Sequence, residues 1–350
     1  MAQRRGATAV LLLLFSLVPP VWGQGDSSDD YLRGYAAALV RREFDISTEA
    51  VSVRDGIVTI AADVSDADLE RIRHILIRIE GVREVVRADA ATRPKGWTWL
   101  PGTAPFRPLF ADPRWPRFGG AYVHYFGDDE LGNVGVANFG EHLPMVRYSP
   151  SYGGSWDLGI QAGVFAIFDF DHSFDLINAD YVAAIPVTYA KDDFAAFLRV
   201  FHQSSHLGDE YLLRGDAEER VNLSYEAVHL LLSYDLPLRL RLYGGGAYIF
   251  RIEPSDIDRW RIQTGAEWIG PSLSDRVGIR PLAAVDVQIE QEGGWTTNVA
   301  PAVGLLFERR LGRGPNFTVL AHYFNGRSPN GQFYDRDVEY VGLSGEFHFF

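Results

Sequence analysis

The chain has no cysteine among its 350 residues, which excludes disulfides and thiol chemistry. After the N-terminal segment it also lacks any run approaching the ~20 consecutive apolar residues that a spanning helix needs. Positive charge is in deficit. Lys and Arg number 33 against 46 Asp and Glu, a formal net charge of −13. That balance argues against a nucleic-acid partner, and a solvated acidic lumen with acidic loops accounts for it. No cofactor motif is evident.

What is present begins with a compartment signal. Arg4 and Arg5 precede the short apolar run Val10–Val18, which Pro19 and Pro20 break before Val21-Trp22-Gly23. This layout predicts a secretory signal peptide over 1–23, too short to span as a helix. From Phe118 to Phe350 the sequence then alternates apolar and polar residues. Trp260, Ile262, Ala266 and Trp268 share one face, and Arg259, Arg261, Gln263 and Glu267 share the other. Leu238, Leu240 and Leu242 alternate with Arg239, Arg241 and Tyr243, and aromatic residues mark many strand ends. The pattern predicts an all-β transmembrane antiparallel barrel, apolar outward and polar inward, of about twelve strands. The expected strands lie near 118–126, 133–147, 155–170, 176–190, 194–206, 221–234, 238–250, 258–270, 278–291, 295–310, 315–326 and 338–350. With a periplasmic N-terminus, the long connections 207–220 and 327–337 fall outside the cell, and the short turns at Lys191–Asp193, Asp235–Pro237 and Leu311–Gly314 fall in the periplasm. A secreted barrel of this kind belongs in a Gram-negative outer membrane, with outer-membrane lipids as its surroundings. The charges Arg199, Arg239, Arg241, Arg259, Arg261, Glu267, Asp286 and Glu290 are expected to neutralise one another inside it.

Ahead of the barrel the period changes. Tyr31, Tyr35, Ala38, Leu39 and Arg42 suit a helix with Asp29 or Asp30 as its N-cap. Ala50–Arg54 and Ile57–Ala62 flank the hairpin signal Asp55-Gly56. Ser65 is placed to cap a second helix carrying Leu69, Ile72, Ile75, Leu76 and Ile79; Gly81 ends it and Val82–Val86 forms a last strand. The order is that of a small α+β module of roughly 60 residues, near the lower limit for independent folding. With Asp55-Gly56-Ile57-Val58, Ala62-Asp63-Val64-Ser65 and Gly81-Val82-X-X-Val85, residues 29–90 resemble a BON domain. The resemblance implies a periplasmic location and attachment to phospholipid or cell wall; a spacer is the competing reading. Residues 91–117, rich in Pro and Trp, read as an extended connector to the barrel at 118–350.

One strand breaks the alternation. Phe194, Ala196, Leu198 and Val200 continue on the same face as His202, Ser204 and His206. The next strand mirrors this, with Asn222, Ser224 and Glu226 leading into Val228, Leu230 and Leu232. A loop centred near Leu213 would set Asn222 opposite Ser204 and Ser224 opposite His202. The result is a polar cluster on the outer wall at the extracellular rim. His202-Gln203-Ser204 resembles the His-X-Ser strand motif of outer-membrane acyl hydrolases, the phospholipase A and lipid A deacylase families. By position, the resemblance makes His202 the base, Ser204 the nucleophile, and Asn222 or Glu226 the orienting group. Ser205 stands where those families usually place Asn. A metal site of His202, His206, Asp209 and Glu210 is the weaker alternative, because strand residues four apart are separated by ~13 Å. Hydrogen bonding of His206, Asp209 and Glu210 within the long loop explains them more simply.

The longer string from His202 to Glu210, with Phe106–Arg114 and Asn178–Tyr181, resembles an outer-membrane family known as domain of unknown function 1207 over about 105–350. That resemblance implies a fold and no activity. The leading expectation is therefore a structural or binding envelope protein. A Ser-His lipid acyl hydrolase is the first alternative and a narrow channel the second.

Overall fold

The computed structural model describes residues 27–44, 46, 48–61, 66–88, 96–128, 131–150, 153–171, 173–214, 221–273, 278–308 and 315–349. The expected signal peptide, the Ser65 cap and Phe350 lie outside the described residues.

The N-terminal region is a small α+β unit. Helix α1 (Ser27–Phe44) is followed by the hairpin β1 (Val51–Arg54) and β2 (Ile57–Ile60), helix α2 (Asp66–Leu76) and β3 (Glu84–Arg87), with β2 and β3 parallel. Ala36, Val40, Val58, Ile60, Ile72, Leu76 and Val85 form its core. Asp29 falls inside α1 rather than at its cap. Its carboxylate instead accepts from the Asp55 and Gly56 amides at 2.7 and 3.1 Å, tying the helix to the hairpin turn. Gly56 holds φ +74°, and a side chain there would collide with the Gly81 carbonyl.

Twelve antiparallel strands then close into a barrel. They are β5 (Phe118–Tyr125), β6 (Asn133–Ser149), β7 (Ser155–Asp169), β8 (Leu176–Lys191), β9 (Phe194–Leu207) and β10 (Ser224–Leu236). The other six are β11 (Leu240–Glu253), β12 (Trp260–Ile269), β13 (Ile279–Glu290), β14 (Thr296–Phe307), β15 (Asn316–Arg327) and β16 (Asp337–His348). Each pairs with its neighbour, and β16 returns to β5 from Phe347↔Phe118 to Tyr340↔Tyr125, so the barrel has no free edge along that seam. The faces are inverted relative to a water-soluble sheet. Trp156, Leu158, Ile160, Leu230, Leu232, Val341 and Leu343 are exposed, while Asp157, Gln161, His229, Gln263, Asp286 and Glu346 are buried inside. An apolar outer band around a polar interior is the signature of an outer-membrane barrel. Among the described residues no helix is long and apolar enough to cross a membrane.

The segment before the barrel is not simply an extended connector. Strand β4 (Gly96–Trp99) adds to the lower part of β6, from Gly96↔Ser149 to Trp99↔Val146. The chain then enters the lumen, where Phe106, Leu109, Phe110 and Trp115 are almost fully buried. Phe106, Leu109 and Trp115 pack with Phe197, Leu231 and Tyr243, and Phe110 packs with Leu282, Leu306 and Leu320. Apolar density in this segment, spaced between prolines, was the signal that it seeks a core. Arg117 fastens it. Its guanidinium donates to the carbonyls of Leu109, Phe110, Asp112 and Trp115 and to Glu346 Oε2 at 2.8 Å. From the other end the β15–β16 loop folds inward. Gln332 Nε2 donates to the Ser205 and Val221 carbonyls, both at 2.9 Å, and Phe333 is fully buried.

The interior charges pair less evenly than expected. Arg241 meets Glu267 at 3.1 Å and Arg261 meets Glu290 at 2.8 Å. Asp286 accepts from Tyr243, Gln263 and Gln288 rather than from an arginine. Arg239 and Arg259 are not part of this interior: Arg239 is exposed in the turn before β11 and donates to the Gly270 carbonyl, and Arg259 lies in the β11–β12 connection and donates to the Ile249 and Phe250 carbonyls. Arg199 has no carboxylate within salt-bridge distance among the described residues.

Candidate functional site

The outer wall near the end of β9 and β10 where the loop 208–223 joins them gathers the polar residues singled out in the sequence. His202, Ser204 and His206 lie on the outward parity of β9, since Phe201, Gln203 and Ser205 between them are buried in the lumen. On β10, Ser224 and Glu226 share the outward parity between buried Tyr225 and Ala227.

The register differs from the expected one by two residues. Ser224, not Asn222, stands opposite Ser204, and Glu226, not Ser224, stands opposite His202. After β9 the chain makes one helical turn, α3 (Asp209–Leu212), and the pairing of β9 with β10 is centred on position 214 rather than 213. That turn is pinned from three sides. Tyr211 is buried against Phe333, a side chain at Gly208 would strike the Leu176 carbonyl, and Arg214 pairs with Asp169 and Asp175. Desolvation opposes the Arg214 charge, but the two carboxylates outweigh it and hold its pKa above the ordinary arginine value.

The corrected register brings an acid to the histidine. His202 Nδ1 lies 3.2 Å from Glu226 Oε1, with the two side chains 46 % and 27 % exposed. This contact leaves Nε2 directed elsewhere, and Ser204 lies two residues along on the same face, about 6.7 Å away by strand rise. No hydrogen bond joins His202 to Ser204 in this structure. A β-bulge beside the pair adds a further charge. Glu226 pairs with Arg251 and Ala227 with Ile249, so Phe250 is the extra residue and both Phe250 and Arg251 face outward. The Arg251 guanidinium then comes within 3.7 Å of Glu226. Bulges are not visible in a two-residue alternation, and neither Arg251 nor its role at the site could be read from the sequence.

The remaining candidates separate from this pair. Asn222 lies before β10 and donates to Glu253 at 3.4 Å, not to His202. The His206 ring packs edge-on against Tyr181 at 5.7 Å. Asp209 and Glu210 are exposed in the first turn of α3. Among the described residues no three His, Asp or Glu side chains converge in a way that could hold a metal.

The family described as "Protein of unknown function (DUF1207)" matches residues 83–349. The chain belongs to that family. No curated protein matches the sequence. Among solved structures, the chain is similar to outer membrane phospholipase A from Escherichia coli, at 11 % identity and TM-score 0.48 over 71 % of this chain and 94 % of that one. It is also similar to the KdgM porin in complex with disordered oligogalacturonate, at 8 % identity and TM-score 0.38 over 66 % and 99 %. The translocator domain of the autotransporter NalP from Neisseria meningitidis follows at 12 % identity and TM-score 0.34 over 68 % and 91 %. These likenesses concern the barrel fold alone.

Proposed function

We propose that this DUF1207 barrel is a serine acyl hydrolase acting on lipid of the outer membrane, with Ser204 as nucleophile, His202 as base and Glu226 as the group that orients the histidine. The observation that carries the reading is the 3.2 Å contact of His202 Nδ1 with Glu226 on the outward face that also presents Ser204. Glu226 selects the tautomer with its proton on Nδ1, which leaves Nε2 able to accept the serine proton. Ser204 Oγ attacks the acyl carbonyl as its proton passes to His202 Nε2. The tetrahedral intermediate expels the lipid alkoxide, which takes that proton back. Water then repeats the sequence and releases the fatty acid. The open Ser204–His202 geometry fits a resting site that tightens on substrate. The location also suits the chemistry, since a nucleophile on the outer wall meets an ester in the lipid layer without extracting it.

The test is release of fatty acid from mixed micelles of outer-membrane lipid by refolded full-length chain, with and without calcium. Turnover lost in Ser204→Ala supports the reading. Equal release by wild type and Ser204→Ala, or none under any condition, refutes it.

A second reading concerns the N-terminal unit, which we infer to be a BON-like periplasmic module attaching the barrel to phospholipid or cell wall. The left-handed Gly56 and Gly81, with the Arg83 amide donating to the Gly56 carbonyl at 2.7 Å, support that likeness. Co-sedimentation of the full chain with peptidoglycan, compared with a chain lacking residues 27–88, tests it; equal sedimentation refutes cell-wall attachment. A channel finds less support, because residues 106–117 and 331–333 occupy the lumen.

A further inference from the structure

We propose that the lumen holds a binding site for a small amphipathic carboxylate, entered from the extracellular side and anchored by Arg199. This goes beyond the outer-wall reading and does not depend on it.

A cavity lies inside the barrel, lined by residues of strands β8 to β15 and by Pro113 and Arg114 of the segment that enters the lumen. Residues of three loops at one end of the barrel line it too, among them Ile257, Glu292 and Tyr334. One side is apolar, made by Val182, Phe201, Ile249 and Ile252 of a single packed cluster. Four arginines also line it: Arg114, Arg199, Arg261 and Arg327. Four carboxylates also line it, Asp258, Asp286, Glu290 and Glu292, so pairing rather than a charge count decides what the cavity wants.

Three of the arginines have a carboxylate at ion-pair distance. Arg114 meets Asp180 at 2.9 Å, Arg261 meets Glu290 at 2.8 Å and Arg327 meets Asp337 at 3.4 Å. Asp286 takes its bonds from Tyr243, Gln263 and Gln288, and Glu292 accepts from the Asp258 amide. Arg199 is left. It is 6 % exposed, its Nη1 donates to Gln161 Oε1 at 2.7 Å, its Nη2 faces His229 Nδ1 at 3.3 Å, and its Nε is buried without a partner. Aromatic faces of Phe201, Phe197 and Trp115 stand 4.7, 5.6 and 5.9 Å from the guanidinium carbon. A buried cation with no carboxylate in contact, balanced only at longer range by Asp112, is costly to a fold. Here it faces a cavity with an apolar wall. A carboxylate on Arg199 with its apolar body on Phe201, Ile249 and Ile252 satisfies both sides at once. Bare phosphate would leave the apolar wall uncovered, and a neutral isostere would leave Arg199 unpaired.

The experiment is calorimetric titration of the refolded full-length barrel with benzoate, benzyl alcohol and inorganic phosphate. The expected result is saturable one-to-one benzoate binding, with benzyl alcohol at least about tenfold weaker for loss of a charged hydrogen bond and phosphate at least about tenfold weaker for loss of apolar burial. Arg199→Gln should weaken benzoate by about 10–100-fold for loss of the charged hydrogen bond. Ala247→Phe fills the cavity without removing Arg199 and should abolish binding, so the proposal stays testable where Arg199→Gln fails to fold. No saturation with benzoate in the wild type, phosphate binding as tight as benzoate, or unchanged benzoate affinity in Ala247→Phe would each overturn it.

Discussion

Replacing Arg117 should unlock the lumen segment before it unfolds the barrel. The Arg117 side chain is 6 % exposed and the Glu346 side chain 8 %, and their 2.8 Å contact is one of five acceptor contacts the guanidinium makes. Removing one partner of a buried ion pair costs about 3–5 kcal/mol. In Arg117→Met the carbonyls of Leu109, Phe110, Asp112 and Trp115 lose their donor as well, and an unsatisfied buried acceptor costs about 1–3 kcal/mol. These terms overlap and do not sum, but they place Arg117→Met above about 5 kcal/mol. Glu346→Gln should cost less, because Arg117 keeps its four carbonyls and residue 346 keeps an acceptor for Ser344. The assay is urea unfolding of refolded chain in detergent, with limited proteolysis read by mass. Cleavage within 100–117 should appear in Arg117→Met at urea concentrations where the strands remain protected. If Glu346→Gln destabilises as much as Arg117→Met, the arginine acts as half of an ion pair and not as a clamp on the segment.

Other consequences can be checked in the same preparation. Leu230 lies mid-strand on the exposed outer face, so Leu230→Arg should cost about 2–4 kcal/mol of folding into vesicles; a cost near zero would move that face out of the bilayer. Gly208→Ala should free the 209–214 turn, because its Cβ has no room beside the Leu176 carbonyl, and proteolysis between β9 and β10 should then accelerate; unchanged protection argues against the tight approach. On the hydrolase reading, Glu226→Gln should lower turnover by about 10²–10⁴-fold, while Arg251→Ala, which removes a competing cation from Glu226, should leave turnover equal or higher. A loss in Arg251→Ala comparable with that in Glu226→Gln would break this assignment.

The barrel was legible because its rule is local. A two-residue period across Trp260–Trp268 or Phe194–Val200 states which face meets lipid without reference to any other strand. The polar break at His202, Ser204 and Glu226 was legible for the same reason. What the sequence could not carry was register. Asn222 and Glu226 share a parity, so either could face His202, and only the pairing of the two folded strands tells them apart. The bulge at Phe250, which turns Arg251 outward, is likewise a property of two strands together. Residues 91–117 read as a connector because of their prolines, whereas Phe106, Leu109, Phe110 and Trp115 within them need a core that only the closed barrel supplies.

The most direct measurement on the outer-wall site is covalent. Refolded full-length chain is treated with a long-chain sulfonyl fluoride, a reagent for activated serines, and the adduct is located by peptide mass. One adduct on Ser204, absent in His202→Ala and slowed in Glu226→Gln, is the result the account predicts. An unmodified Ser204, or labelling of Ser204 that persists unchanged in His202→Ala, would contradict it.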